Sequence, residues 1–143
     1  MNSDFSLALH ALVLLHRRGG VQSSEAMAPN ICTNPVRVRR VLAKLKKAGW
    51  VQTREGSEGG YRLVANPDTL TLADVAGALE VRFVDTRWHS GRDDLPCMIA
   101  SGMAGVMDAL LADLDAACRA RLAATTLAML EKQLHLPETG GCG

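Results

Sequence analysis

Six of the ten lysines and arginines in the first 64 residues fall between Arg37 and Lys47, with no acidic residue among them. Wound into a helix, Arg37, Arg40, Lys44 and Lys47 share one face, while Val38, Val41, Leu42 and Leu45 share the other. A cationic row without counter-charges suits a polyanion. Arginine can donate two parallel hydrogen bonds to guanine O6 and N7, whereas lysine acts as a point charge toward phosphate. Base edges in the major groove are read near the N-terminus of an inserted helix. Thr33, Asn34, Pro35, Arg37 and Arg40 are therefore the candidate base-side residues. Lys44 and Lys47, further along, are the candidate phosphate contacts. Arg39 joins the candidates, and Lys46 reads as a solvated side chain.

The elements that must position these groups follow from the flanking residues. Asp4 is a candidate cap for a first helix over 5–17, whose apolar Leu9, Leu12, Val13 and Leu15 mark it as buried. Gly19-Gly20 ends it. Ser23-Ser24-Glu25 opens a short second helix expected to stop by Pro29 and Asn30. Thr33-Asn34-Pro35 supplies an N-cap and a first-turn proline for a third helix over 35–48, and Gly49 supplies its stop. This succession is a helix-turn-helix pattern.

A hairpin is expected next. Strands at 50–54 and 61–64 flank the turn Glu55-Gly56-Ser57-Glu58-Gly59-Gly60. A phosphate-cradling glycine loop would lead from strand into helix, and this one leads back into a strand, so it reads as a wing. Arg54, Ser57, Gly59, Gly60 and Tyr61 are its candidate contacts. The glycines would allow close approach to a nucleic-acid backbone, and Tyr61 is either a contact or a hinge of wing packing. Thr71 caps a short helix over 72–79. Residues 85–96 form a polar loop, a long helix spans 98–122, and a last helix spans 123–136 before Pro137.

Composition bounds the rest. A chain of 143 residues with 48% hydrophobic and 22% charged residues is one globular domain with an appendage rather than a disordered chain. The net charge of +1 hides a split: residues 1–64 hold ten basic and four acidic residues, net +6, and residues 65–143 hold six and eleven, net −5. No apolar run reaches the ~20 residues of a membrane span, and no cleavage pattern follows the apolar stretch at Phe5 to Leu15, so no membrane partner and a cytoplasmic location are expected. Cys32, Cys97, Cys118 and Cys142 are too irregularly placed for a disulfide framework. No spacing brings a nucleophile, a base and an orienting acid together, so an enzyme is not expected.

The run from Asn34 to Leu45, then Ala48-Gly49-Trp50-Val51, then Gly56-Ser57-Glu58-Gly59-Gly60-Tyr61-Arg62-Leu63 resembles the Rrf-two (Rrf2) family of bacterial repressors. Leu122-Ala123-Ala124-Thr125-Thr126-Leu127 resembles the family's second dimerisation helix. The resemblance spans about residues 4–134. It implies a mainly α fold with a small β-hairpin: a winged helix-turn-helix domain over 1–80, a linker or sensing loop over 81–100, dimerisation helices over 101–136 and a mobile tail over 137–143. It implies a homodimer that binds a palindromic operator on double-stranded DNA, repression being the family's commoner habit. Met103, Val106, Met107, Leu110 and Leu114, at spacings of three and four, are the expected dimer interface. One departure concerns the wing: Glu55 stands where many members carry arginine, so Arg54 would take over any minor-groove contact.

Several members hold an iron–sulfur cluster on three cysteines before the long helix, thiolates being the preferred ligands. This chain keeps only Cys97 of the three. Trp88 stands at the first position, and Ala100 where a histidine is expected. No cofactor is therefore expected; a cluster would need His10, His89 or Cys118. Cys97 follows Pro96 at the start of a helix, where the dipole favours a thiolate, and it becomes the candidate redox-sensing thiol with Cys118 as a possible intersubunit partner. The alternative is that both are small buried apolar residues, and burial is also expected of Cys32. A small ligand or partner protein as effector, and a winged helix used only for protein contact, remain the rival readings.

Overall fold

Eight apolar side chains of the first helix, α1 (Ser3–Arg18), are buried, and the N-terminal unit assembles around them. The computed structural model describes residues 3–85, 88–135 and 137. After α1 come α2 (Ser24–Ile31), α3 (Pro35–Lys47), strands β1 (Val51–Arg54) and β2 (Gly60–Leu63), and then α4 (Leu72–Ala78), α5 (Met98–Ala123) and α6 (Leu127–Gln133). The core joins Leu12 and Leu15 of α1, Met27 of α2, Val38, Val41, Leu42 and Leu45 of α3, Val51 of β1, Val75 of α4 and Leu127 of α6, all essentially inaccessible to water. Each full burial of such a side chain is worth about 1.5–3 kcal/mol, which makes the amphipathic face of α3 the main force that seats it.

Local chemistry sets most of the helix ends. The Ser23 side chain accepts from the Ala26 amide and Asn34 from the Arg37 amide, so both caps fall where the sequence places them. The end of α3 is a Schellman turn. Gly49, at φ +86°, donates to Lys46 O at 2.9 Å, and Trp50 donates to Leu45 O at 3.1 Å. Thr71 and Asp74 close a capping box on α4.

Several expectations shift. Asp4 lies inside the first turn of α1 instead of capping it, and its carboxylate is used elsewhere. The second helix does not stop at Pro29 but runs through it to Ile31. Cys32 then closes it from the left-handed region, at φ 62°, with Thr33 donating to Ala28 O at 3.0 Å. Cys32 is therefore exposed, not buried: its backbone makes the turn while its side chain looks outward. The strands begin and end one residue later or earlier than expected, leaving Trp50 and Val64 outside the ladder.

The largest shift concerns the C-terminal end. The last helix starts at Leu127 and ends at Gln133 instead of spanning 123–136. Thr126 caps it by accepting from the Met129 amide, and the chain at Thr125–Ala128 pairs with residues before α4. Leu72 donates to Thr125 O at 2.9 Å, and Leu127 donates to Leu70 O at 2.8 Å. That pairing interrupts the helix and drives Leu127 into the core. The tail expected after Pro137 lies outside the described residues.

The long α5 is different in kind: none of its residues is buried. Its C-terminal half is tied to the linker, Arg119 donating to Val81 O at 2.7 Å and the Phe83 amide donating to Asp115 at 3.3 Å. Phe83 in turn packs edge-on against Phe5, with ring centroids 5.5 Å apart. The loop before α5 folds back on its first turn, where the Arg92 amide donates to Ala100 O at 2.9 Å.

Candidate nucleic-acid interface

The geometry starts at the N-terminus of α3. Asn34 spends its side-chain oxygen on the cap, at 2.9 Å from the Arg37 amide, and Pro35 occupies the first turn. Thr33 is half-buried beneath it. Val38, Val41, Leu42 and Leu45 face the core, so Arg40, Lys44 and Lys47 are exposed on the outward side, as their spacing requires.

Arg37 is not free on that side. It donates from Nε and Nη2 to Asp4 Oδ1 at 3.2 and 3.0 Å, and its side chain is 32% exposed. Arg40 reaches the same oxygen at 3.5 Å but stays 62% exposed. Partial burial pushes the Asp4 carboxyl up. The Arg37 hydrogen bond and the charges of Arg40, Arg37 and Lys44 outweigh it and hold the carboxyl below the usual carboxylate value.

Arg39 turns toward α2. It donates to Ser24 Oγ and to Glu25 Oε1, both at 3.0 Å, and so braces the two helices of the turn unit. Lys46, expected to be merely solvated, donates to Thr53 Oγ1 at 3.0 Å and ties α3 to β1.

The wing is a four-pair antiparallel ladder, Val51 opposite Leu63 through Arg54 opposite Gly60. Tyr61 and Gln22 exchange both backbone hydrogen bonds, at 2.8 and 2.9 Å, so the residue before the helix-turn-helix acts as a third edge. Burial raises the Tyr61 phenol, and the ring packs against the core: Tyr61 has the surroundings of a hinge. The glycines have a steric reason of their own. A Cβ on Gly59 would lie 2.3 Å from Arg54 O, and one on Gly60 would lie 2.4 Å from Gln22 O. They are needed for the wing's own backbone packing. Arg54 and Glu55 are exposed around a cleft of about 280 Å³ between the wing and the start of α2, and Ser57 is exposed in the wing turn.

Asn34, Arg40, Lys44 and Lys47 are thus exposed on α3, Arg54 and Ser57 are exposed on the wing, and Arg37 and Arg39 are engaged by Asp4, Ser24 and Glu25. Sequence reasoning missed Asp4 as a member of this surface. Its only signal was an acid beside an otherwise basic segment, distant in the chain.

Two of the thiols belong to the α5 region, and Cys32 sits in the turn just before α3. Cys97 is the exposed N-cap of α5, and the backbone amides of Ala100 and Ile99 beside it hold its thiol pKa below the ordinary value, against an opposing effect of burial. The alternative reading of Cys97 as a small buried residue therefore fails. Cys118 is half-buried on the same helix, about 30 Å further along at the helical rise. His10 hydrogen-bonds Asn30 and His89 pairs with Asp108, each at 2.7 Å. Met103, Val106, Met107, Leu110 and Leu114 form an exposed apolar stripe along α5.

Residues 1–133 match the family model Rrf2, described as an iron-dependent transcriptional regulator. The chain is 36% identical over 80 residues to YwnA of Bacillus subtilis (strain 168), named as an HTH-type transcriptional regulator, a match covering 56% of this chain and 59% of that one. A transcriptional regulator from Lactobacillus plantarum has the same fold, with a TM-score of 0.81 at 26% identity over 94% of this chain and 91% of its own. CymR of B. subtilis, titled the global cysteine regulator, superposes with a TM-score of 0.68 at 21% identity over 93% of this chain and 96% of its own, and IscR of T. potens with 0.66 at 20% over 92% and 85%. These last two speak for the fold alone.

Iron would require sulfur, nitrogen or oxygen donors converging on one point. Among the described residues no three His, Cys, Asp or Glu side chains do so, and Cys32, Cys97 and Cys118 are widely separated. The described donors of one chain do not fit an iron site. No described helix is long and apolar enough to cross a membrane. With a winged helix-turn-helix fold, an outward basic face on α3 and a family match over nearly its whole length, the chain belongs to the Rrf2 family of transcriptional regulators.

Proposed function

We propose that the chain is a homodimeric, sequence-specific DNA-binding regulator that represses by occupying a palindromic operator. The observation that carries this reading is the outward basic face of α3, on which Arg40, Lys44 and Lys47 are exposed. A helix fits the major groove, where Arg40 with Asn34 and Thr33 can meet base edges while Lys44, Lys47 and Arg54 meet phosphates. Glu55 at the wing tip repels phosphate, so the wing contributes through Arg54 and Ser57 and not through minor-groove insertion. Two α5 stripes packed on each other bury Met103, Val106, Met107, Leu110 and Leu114 and set the two reading heads about one helical turn apart, or a multiple of it.

The signal in this reading is oxidation of Cys97. Its exposure and a thiol pKa lowered by the amides at the start of α5 favour the reactive thiolate, and its place between linker and α5 lets a local change alter the spacing of the heads. Cys118 of the second subunit is the candidate resolving thiol. The test is a DNA-binding titration on the duplex upstream of the protein's own gene, with reduced and mildly oxidised protein in parallel at fixed salt against random competitor. Binding to that duplex in the reduced state, lost on oxidation and retained in Cys97→Ser, is expected. Cys97→Ser with an undiminished redox response would exclude Cys97 as the sensor.

A further inference from the structure

The acid on the recognition surface needs its own explanation. A carboxylate beside a phosphate backbone weakens every contact with DNA, whatever its sequence. Asp4 nevertheless sits in the first turn of α1 with one oxygen, Oδ1, shared between two arginines of α3. We propose that Asp4 is a specificity-determining positioning residue, whose carboxylate holds the Arg40 guanidinium in one orientation toward a single base and keeps Arg37 from pairing with phosphate. The proposal rests on the DNA-binding reading above.

The two arginines are held differently. Arg37 commits Nε and Nη2 to Asp4, at 3.2 and 3.0 Å, which uses up one whole edge of its fork. Arg40 touches Asp4 with Nη2 alone, at 3.5 Å, and its side chain is 62% exposed, so the outer edge of its fork stays available. A long side chain free in water gives up rotamer freedom when it docks on a base. A carboxylate behind the guanidinium removes part of that freedom beforehand, so less is lost on binding. The same negative charge lowers the general attraction of the α3 surface for phosphate. The first effect widens the gap between the right duplex and any other, and the second lowers the affinity for all duplexes alike.

The experiment uses the full chain and a duplex enriched by the wild type from a randomised pool. Affinities of wild type, Asp4→Asn, Arg40→Ala and the double variant are measured for that duplex and for random duplex at one salt concentration. Asp4→Asn is expected to bind random duplex about threefold or more tightly and to lower the selected-to-random ratio about tenfold. In the Arg40→Ala background the same change should leave the ratio unaltered, because the carboxylate then has no reader to orient. A merely structural ion pair would lower the ratio equally in both backgrounds, and that result overturns the proposal. An Asp4→Asn protein that discriminates as well as wild type overturns it too. A wild type that prefers no duplex contradicts the DNA-binding reading itself, which separates the two failures. Asp4→Glu keeps the charge one carbon further out and is expected to recover part of the ratio, which excludes loss of folding as the cause.

Discussion

Lys44 and Lys47 are exposed on the later turns of α3, and the proposed reading gives them phosphate contacts indifferent to sequence. Lys44→Ala and Lys47→Ala should each weaken binding to all duplexes alike and lower the slope of log affinity against log salt by about one. Titration across a salt series checks this; a change confined to one base position would assign them a reading role instead. Cys97 is the second residue whose surroundings dictate a measurable property. The backbone amides at the start of α5 stabilise its thiolate, so its pKa is lowered and the reactive form persists at lower pH than for a free thiol, whose midpoint is about 8.5. Alkylation by iodoacetamide, mapped by mass spectrometry across pH, should show Cys97 reacting with a midpoint below that of a model thiol. A midpoint at or above the model value would contradict the environment described. At this scale the candidate surface was partly legible. The outward basic positions follow from helical spacing alone. The capture of Arg37 by Asp4 and of Arg39 by Glu25 does not, because both acids come from other helices and only the packing of α1 and α2 on α3 brings them near.

At the scale of elements, the helix-turn-helix and the wing could be read because local signals agree with the fold: Ser23 and Asn34 as caps, Pro35 in the first turn, Gly49 at φ +86°. The start of α6 could not. Residues Leu122 to Leu127 contain neither proline nor glycine, and nothing local breaks the helix there. The break is made by tertiary pairing, Thr126 bridging to Thr71 while Leu127 fills the core. This element is therefore part of the N-terminal unit's packing: His16 and Arg17 of α1 approach Glu131 of α6 at 2.6 and 3.7 Å. Leu127→Ala should cost about 2–5 kcal/mol in denaturant unfolding, as for other fully buried leucines. A cost under about 1 kcal/mol would mean that α6 is not seated as described. The wing glycines make the converse point. Their presence was legible as a turn, but the reason for Gly60, the Gln22 backbone 2.4 Å from a would-be Cβ, needed the third edge supplied by Gln22. Gly60→Ala is expected to displace the wing from that edge, read as faster amide exchange at Tyr61 and Gln22; unchanged protection at both would contradict it.

At the scale of the whole molecule, two facts belong together. The N-terminal unit closes its own core, whereas α5 has no buried residue and displays an apolar stripe of five side chains. An exposed stripe of that length is covered in a stable protein, and a second copy offers a matching one. Changing Leu110 and Leu114 together to Asp should yield a folded monomer in analytical ultracentrifugation, with wild-type far-ultraviolet circular dichroism. That monomer should keep weak binding to a half-site and lose the added affinity for a two-fold duplex. A double variant that remains dimeric would remove α5 from the interface. The charge split, net +6 over residues 1–64 and −5 beyond, fits the proposed division of labour, in which one end would meet an anion and the other its own copy.

The most direct measurement of the central claim is selection of duplexes from a randomised pool by the reduced full-length protein, followed by sequencing. The account predicts enrichment of a two-fold symmetric motif, half-sites about one helical turn or a multiple apart, with a guanine in each half that loses its enrichment when Arg40 is changed to Ala. A pool that stays random, or a motif that Arg40→Ala leaves intact, would contradict it.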